Sequence, residues 1–165
     1  MNSFYKYLTL EDKHHIEVVG FIKDKLHEIV CFHPINEGKR SAFEKYKFSI
    51  MGALAGIPDF VFLHPKYENG ELKYHGLAIE LKAPEHNKVV LKGVNEGKIV
   101  KTKGSLSKSQ KEILEKLNTI GYKAVCCFGA DEAIKEIKDY FKEYLDNKEK
   151  NKRDKFRIEL KNGTI

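Results

Sequence analysis

Asp59, Glu80 and Lys82 are the residues of this chain whose types and spacing could do chemistry. Asn69-Gly70 has the composition of a two-residue hairpin turn, and strands paired across it obey one rule: opposed residue numbers sum to 139. The rule sets Asp59 opposite Glu80, and strand alternation returns Lys82 to the face of Glu80, roughly 6 to 7 Å along. Two carboxylates about 4 Å apart repel by roughly 4 kcal/mol at an effective dielectric of about 20. A divalent cation relieves that conflict, and hard carboxylate oxygens suit Mg²⁺ better than zinc. A cation held there can polarise a phosphodiester and lower the pKa of an attacking water, with the Lys82 ammonium beside the nucleophile or the developing phosphorane. A plainer account competes: Asp59 as a turn residue after Pro58, and Glu80 with Lys82 as an exposed charge ladder. The runs Phe60-Val61-Phe62-Leu63 and Leu77-Ala78-Ile79 weigh against it, because continuous apolar runs mark strands buried on both faces, and charges at the ends of such strands need partners.

The elements that must position these groups follow from periodicity and turn chemistry. Thr9-Leu10-Glu11-Asp12 predicts the capped, acidic start of a first helix, with Ile16, Val19, Ile22, Leu26 and Ile29 as its core-facing stripe. Glu17 lies beside that stripe, either an ordinary surface glutamate or an acid reaching into the site. Val30-Cys31-Phe32-His33 predicts a short strand ended by Pro34, followed by a polar loop whose Asn36, Lys39 and Arg40 could contact phosphate. Ser41 with Glu44 predicts a capping box on a second helix through about Ala53, after which Gly56 and Pro58 lead into the strand at Asp59.

Beyond Lys82, Ala83-Pro84 ends the strand and a long insertion over 86–104 begins. Val89-Val90-Leu91 and Ile99-Val100 flank Asn95-Glu96-Gly97 there, which fits a lysine-decorated hairpin along a nucleic-acid backbone or a solvated loop. Ser107 and Gln110 form another capping box, ahead of Ile113, Leu114, Leu117 and Ile120 on an amphipathic helix; Gln110 could instead face the site. Lys123 to Phe128 predicts a fourth buried strand, and Asp131 the cap of a final helix with Ile134, Ile137, Phe141 and Tyr144 turned inward. From Asp146 the chain is a mixed-charge stretch, and Phe156-Arg157-Ile158-Glu159-Leu160 alternates as an edge strand or partner contact would.

A chain of 165 residues with 41% hydrophobic and 33% charged residues can form one domain with a substantial core. Its formal charge of +6 favours a polyanionic partner, and Lys88, Lys92, Lys98, Lys101, Lys103, Lys108 and Lys111 cluster in a segment poor in acids. Cys31, Cys126 and Cys127 make no disulfide framework and read as buried reduced thiols. No Cys/His spacing suggests zinc, since neighbouring His14 and His15 point about 100° apart on a helix. With no apolar stretch near the roughly 20 residues that cross a bilayer, and a polar start at Met1-Asn2-Ser3, the expectation is a cytoplasmic protein without a membrane partner.

The order helix, strand, helix, Pro-Asp strand, Glu-x-Lys strand, helix, strand, helix resembles the PD-(D/E)XK nuclease fold, an α/β, restriction-endonuclease-like core with a mixed central sheet flanked by helices. Gly56-Ile57-Pro58-Asp59-Phe60, Gly76-Leu77-Ala78-Ile79-Glu80-Leu81-Lys82 and Leu106-Ser107-Lys108-Ser109-Gln110 look more closely like the VRR-NUC family of virus-type replication and repair nucleases, over nearly the whole chain to about Tyr144. The resemblance implies a Mg²⁺- or Mn²⁺-dependent phosphodiesterase acting on DNA, with Asp59, Glu80 and the backbone carbonyl of Leu81 as metal ligands and Lys82 as the catalytic lysine. By the same resemblance Glu17 matches an acidic residue on the first helix, and Gln110 the glutamine after the core motif. It further implies a homodimer acting on branched or structured DNA, in a bacterial or phage-infected host cell. The domain is expected over 1–145, with a charged C-terminal extension over 146–165; this extension and the insertion depart from the shorter family pattern. Lys39, Arg40, Lys92, Lys98, Lys101, Lys103 and Lys108 are the expected nucleic-acid contacts. The alternative is a non-catalytic nucleic-acid-binding module on the same scaffold; a sequence-specific restriction enzyme would need a recognition element, for which only the insertion has room.

Overall fold

The computed structural model describes residues 3–34 and 41–161. After a short 3-10 helix at Ser3–Tyr7 come α1 (Leu10–Lys25), β1 (Cys31–Phe32), α2 (Ala42–Ile50) and β2 (Phe60–Phe62). The hairpin strands β3 (Lys66–Glu68) and β4 (Glu71–Tyr74) lead to β5 (Leu77–Lys82), and a second hairpin, β6 (His86–Val89) and β7 (Ile99–Thr102), precedes α3 (Lys108–Thr119). The chain continues through β8 (Lys123–Phe128), α4 (Ala130–Tyr140) and α5 (Lys142–Lys161).

Asn69 and Gly70 both have positive φ, 53° and 83°, the geometry of a two-residue turn whose twist matches that of its strands. Glu68 pairs with Glu71 and Tyr67 with Leu72, each summing to 139, and a bulge then shifts Lys66 opposite Tyr74. The offset is recovered in the central sheet, where Phe60 pairs with Ile79, Val61 with Ala78 and Phe62 with Leu77, again at 139. Asp59, one residue before β2, therefore stands level with Glu80.

That central sheet has the order β1-β2-β5-β8, antiparallel except for the parallel pair β5 and β8. All six residues of β5 are buried, because helices cover both faces. Leu77, Ile79 and Leu81 pack in one cluster with Val18 and Leu26 on the α1 side and Ala133 and Ile137 of α4. Ala78 packs on the other face with Leu114 of α3 and Ala124 of β8. The expected mixed sheet flanked by helices is what the chain forms.

Four local expectations need correction. Val19, Ile22, Leu26 and Ile29 of the expected α1 stripe pack on the core, but Ile16 is 47% exposed and Val18, fully buried, takes its place. The N-cap of α4 is Gly129 and not Asp131, with no side-chain cap bond. Tyr144 stands on α5, because α4 ends at Tyr140. Residues 156–160 continue α5 instead of forming an edge strand; lysine, arginine and glutamate are good helix formers, and oppositely charged pairs four apart support a helix.

The insertion does fold as a hairpin, with His86 opposite Thr102 and Val89 opposite Ile99 in a sheet of its own. Among the described residues no helix is long and apolar enough to cross a membrane. The three cysteines are free, and burial pushes the Cys31 and Cys127 thiols up to about 12, which leaves them unreactive.

Candidate active site

The polar cluster is built at the C-terminal end of β5, where the central strand carries charge while still buried. Glu80 is 2% exposed and Lys82 is 8% exposed. Alternation puts them on one face, and Lys82 Nζ lies 2.8 Å from Glu80 Oε1. Leu81 between them turns its backbone toward the β2 edge, where its N–H donates to Asp59 Oδ2 at 2.7 Å. Continuing the same register sets Pro58 opposite Leu81, and proline has no N–H to offer the Leu81 carbonyl. A Pro-Asp pair at this place thus anchors one backbone group of β5 and leaves the other without a ladder donor, on the side where the Asp59 carboxylate lies.

Gln110 completes the cluster from α3. Its side-chain oxygen accepts from the Ser107 N–H at 2.8 Å, and Ser107 Oγ accepts from the Gln110 N–H at 3.2 Å, so the capping box forms. The same side-chain amide donates through Nε2 to Glu80 Oε1. The two roles weighed for Gln110 are compatible, because an amide carries an acceptor on one atom and donors on the other. Gly56, at φ 83°, holds α3 against the Pro-Asp segment: a Cβ there would lie 2.6 Å from the Ser109 backbone and 2.7 Å from Gln110 N.

The acid that α1 supplies is Glu11. Its Oε1 is 3.3 Å from Lys82 Nζ, and its Oε2 accepts from the Ala83 N–H at 3.0 Å. Glu17, the residue expected in this role, is 59% exposed and lies 3.6 Å from His14 Nδ1. The replacement of Ile16 by Val18 on the buried face explains the correction. Val18, at the centre of the buried face, has its i−3 and i−7 neighbours at His15 and Glu11, whereas Glu17 is turned roughly 100° away from Val18. The spacing 11, 15, 18, 22, 26 was present in the sequence, but it requires reading a glutamate and a histidine as part of a core-facing stripe.

Burial pushes the Glu80 carboxyl up to about 7, with the Asp59 charge adding to the effect and the Lys82 hydrogen bond opposing it. Burial alone would lower Lys82, but the hydrogen bond and charge of Glu80, together with the charges of Glu11 and Asp59, outweigh it and leave the ammonium above its ordinary value. Three carboxylates therefore surround one ammonium. An all-oxygen donor set with surplus negative charge fits a hard divalent cation, which Asp59, Glu80 and the Leu81 carbonyl would hold. Asp59, Glu80 and Gln110 open onto a cleft of about 450 Å³ whose other wall includes Lys45 and Phe48 of α2.

The sequence named His15 only to set aside a zinc site at His14-His15, and His33 only as the end of a strand, yet both adjoin Asp59. His33 Nδ1 donates to the Asp59 carbonyl at 2.8 Å. His15 stacks on Phe60, and burial and the adjacent His33 ring hold it below its ordinary value. No local signal joins residues this far apart in sequence.

Of the expected nucleic-acid contacts, Lys39 and Arg40 lie outside the described residues. Lys92 and Lys98 are exposed, and Lys98 is tied to Asn95 Oδ1 at 3.1 Å. Lys101 pairs with Glu85 at 3.1 Å and Lys108 with Glu112 at 3.8 Å. Lys103 differs, with its ammonium 3.5 Å from the centre of the Phe128 ring, on the β8 residue paired with Lys82.

No family model matches the sequence, and no curated protein matches it significantly. Among solved structures, a chain described as a VRR_NUC domain protein is similar at 26% identity and a TM-score of 0.57, covering 82% of this chain and 90% of that one. With its mixed sheet and helices on both faces, the molecule has a PD-(D/E)XK-type fold, and the likeness supports a nuclease-type domain. The likeness supports the VRR-NUC family in particular, as the three motifs implied.

Proposed function

We propose that the protein is a Mg²⁺- or Mn²⁺-dependent endonuclease that hydrolyses phosphodiester bonds in branched or structured DNA during replication, repair or recombination. The observation that carries this reading is the meeting of Asp59, Glu80, Lys82, Gln110 and Glu11 at the buried end of β5, beside an open cleft. A binding module needs no such desolvated group of acids, which costs stability unless something compensates it. When bound, a divalent cation supplies Lewis-acid polarisation of the phosphate and a more acidic water. Lys82 contributes a fixed positive charge near the attacked phosphorus, oriented by Glu80 and Glu11. Gln110 holds the Glu80 carboxylate in place from the α3 cap.

The exposed lysines 92, 98, 101, 103 and 108, with Lys39 and Arg40, supply backbone affinity without base reading. The nuclease domain extends to about Leu145, the last among the described residues of α5 to pack on the main core, and the rest is a charged extension. A homodimer in the cytoplasm of a bacterial or phage-infected cell would set two such sites on two strands of a junction. The test is cleavage of supercoiled, flap and four-way-junction DNA with Mg²⁺, comparing wild type with Asp59→Ala. Cleavage by the wild type alone supports the reading; a wild type that binds all three and cuts none replaces it with the non-catalytic binding module.

A further inference from the structure

We infer that His15, His33 and Asp59 form a second cation site, for a borderline divalent transition-metal ion such as Zn²⁺ or Co²⁺, sharing Asp59 with the all-oxygen position at Glu80. One ligand atom of each residue lies within 4.8 Å of the others. With bonds of roughly 2.1 Å, ligand atoms of a tetrahedral site lie about 3.4 Å apart, so a closure of at most about 1.4 Å completes the coordination.

The imidazoles are already disposed for it. A carbonyl oxygen can only accept, so the 2.8 Å contact from His33 Nδ1 to the Asp59 carbonyl requires the proton on Nδ1 and makes Nε2 the nitrogen that a metal would bind. An outer hydrogen bond of this kind is what fixes the tautomer and orientation of a metal-bound histidine. His15 is clamped on Phe60, with ring centres 4.3 Å apart, and meets His33 edge-on at 4.4 Å and 71°. Two rings bound to one ion, with bonds of roughly 2.1 Å and a ring radius of roughly 1.1 Å, have centres roughly 4.5 Å apart at a right angle and roughly 5.2 Å apart at the tetrahedral angle, so the pair opens by under about 1 Å on binding.

Chemistry separates the two positions. Imidazole nitrogens favour borderline ions, whereas Mg²⁺ prefers carboxylate, carbonyl and water. Asp59 has acceptor capacity for both, since Leu81 N–H occupies only one direction on Oδ2.

Co²⁺ titration followed by visible absorbance, in excess Mg²⁺ and without DNA, tests the site separately from cleavage. His33→Gln and His15→Gln are each expected to weaken Co²⁺ binding by more than about tenfold, while Glu80→Gln stays within about twofold of wild type. Wild-type affinity in both histidine variants, or equal loss in Glu80→Gln, would overturn the assignment. Should the histidine variants fail to fold, Zn²⁺ added to wild type must shift the ring signals of His15 and His33 among the seven histidines in ¹H–¹⁵N spectra; shifts confined to other rings refute it. Loss of cleavage in Glu80→Gln with Co²⁺ binding intact would show that this site and the proposed nuclease reading stand or fall separately.

Discussion

The end of β5 and the β6–β7 hairpin are neighbours in sequence and opposite in physics. In β5 every side chain is buried, and Glu80, Leu81 and Lys82 are held by groups from α1, α3 and the segment before β2. In the hairpin, residues 91–101 are all exposed, and lysine partners are local, as with Lys98 and Asn95. The two regions touch at Gly104, whose N–H donates to the Ala83 carbonyl at 2.9 Å and whose Cβ position would meet Lys82 Cβ at 2.9 Å. The same residue type does different work on either side of that contact. Lys82 is a single charge whose place is dictated by buried acids, so its effect depends on position to a fraction of an ångström. The hairpin lysines are a diffuse, salt-screened field whose effect depends on their number.

Substitutions can break or sharpen this contrast. The largest effect is expected from Glu80→Gln, which keeps the shape and removes a charge: cleavage should fall by at least about 10²-fold with DNA binding nearly unchanged. Equal cleavage by both proteins would remove Glu80 from the site. The same variant carries a pH signature. The folded Glu80 pKa, about 7, lies above its ordinary 4.5, so its contribution to stability is fully present below about 4.5 and lost as pH rises through about 7. Cation uptake needs the ionised form and should strengthen over that window. Calorimetry on either side of neutrality checks both trends, and both should vanish in Glu80→Gln.

Next in size is the pair of helix acids. Glu11→Gln should lower cleavage about tenfold, by weakening the charged contacts to Lys82 and Ala83 N–H, while Glu17→Gln stays within about twofold. The reverse order would show that the phase of α1 is misjudged.

Two glycines compare the regions as scaffolds. Gly56→Ala must both adopt φ 83° and displace the α3 backbone, whereas Gly93→Ala in the hairpin, at φ 97°, meets nothing within 4 Å. Chemical denaturation should show roughly 1–2 kcal/mol lost at Gly93 and more at Gly56.

The smallest effect is expected when Lys88, Lys92 and Lys98 are replaced by alanine together. DNA affinity should weaken and its salt slope should flatten by up to about 0.9 for each phosphate contact removed, with the cleavage rate of bound DNA unchanged. An unaltered slope would show that the hairpin does not touch phosphate.

Much of the site was legible because its rules are short-range. Turn chemistry at Asn69-Gly70 and strand alternation placed Asp59 level with Glu80, and put Lys82 beside it, despite the bulge at Lys66 and Tyr67. Capping chemistry placed Gln110 at the start of α3, yet it could not show that the free end of the amide would meet Glu80. Only the N-terminal half of the α1 stripe was misread, because Ile16 is apolar but exposed, while Glu11 and His15 are partly buried.

Register, alternation and caps are decided between residues close in the chain or tied by one turn, so the amino-acid sequence alone determined the Asp59, Glu80 and Lys82 arrangement. The choice of Glu11 over Glu17, the double use of Gln110 and the approach of His15 and His33 to Asp59 were decided only by tertiary structure. Each depends on how a helix rotates, or a loop closes, to bury apolar surface on the sheet, and that optimum is a property of all the packed elements together.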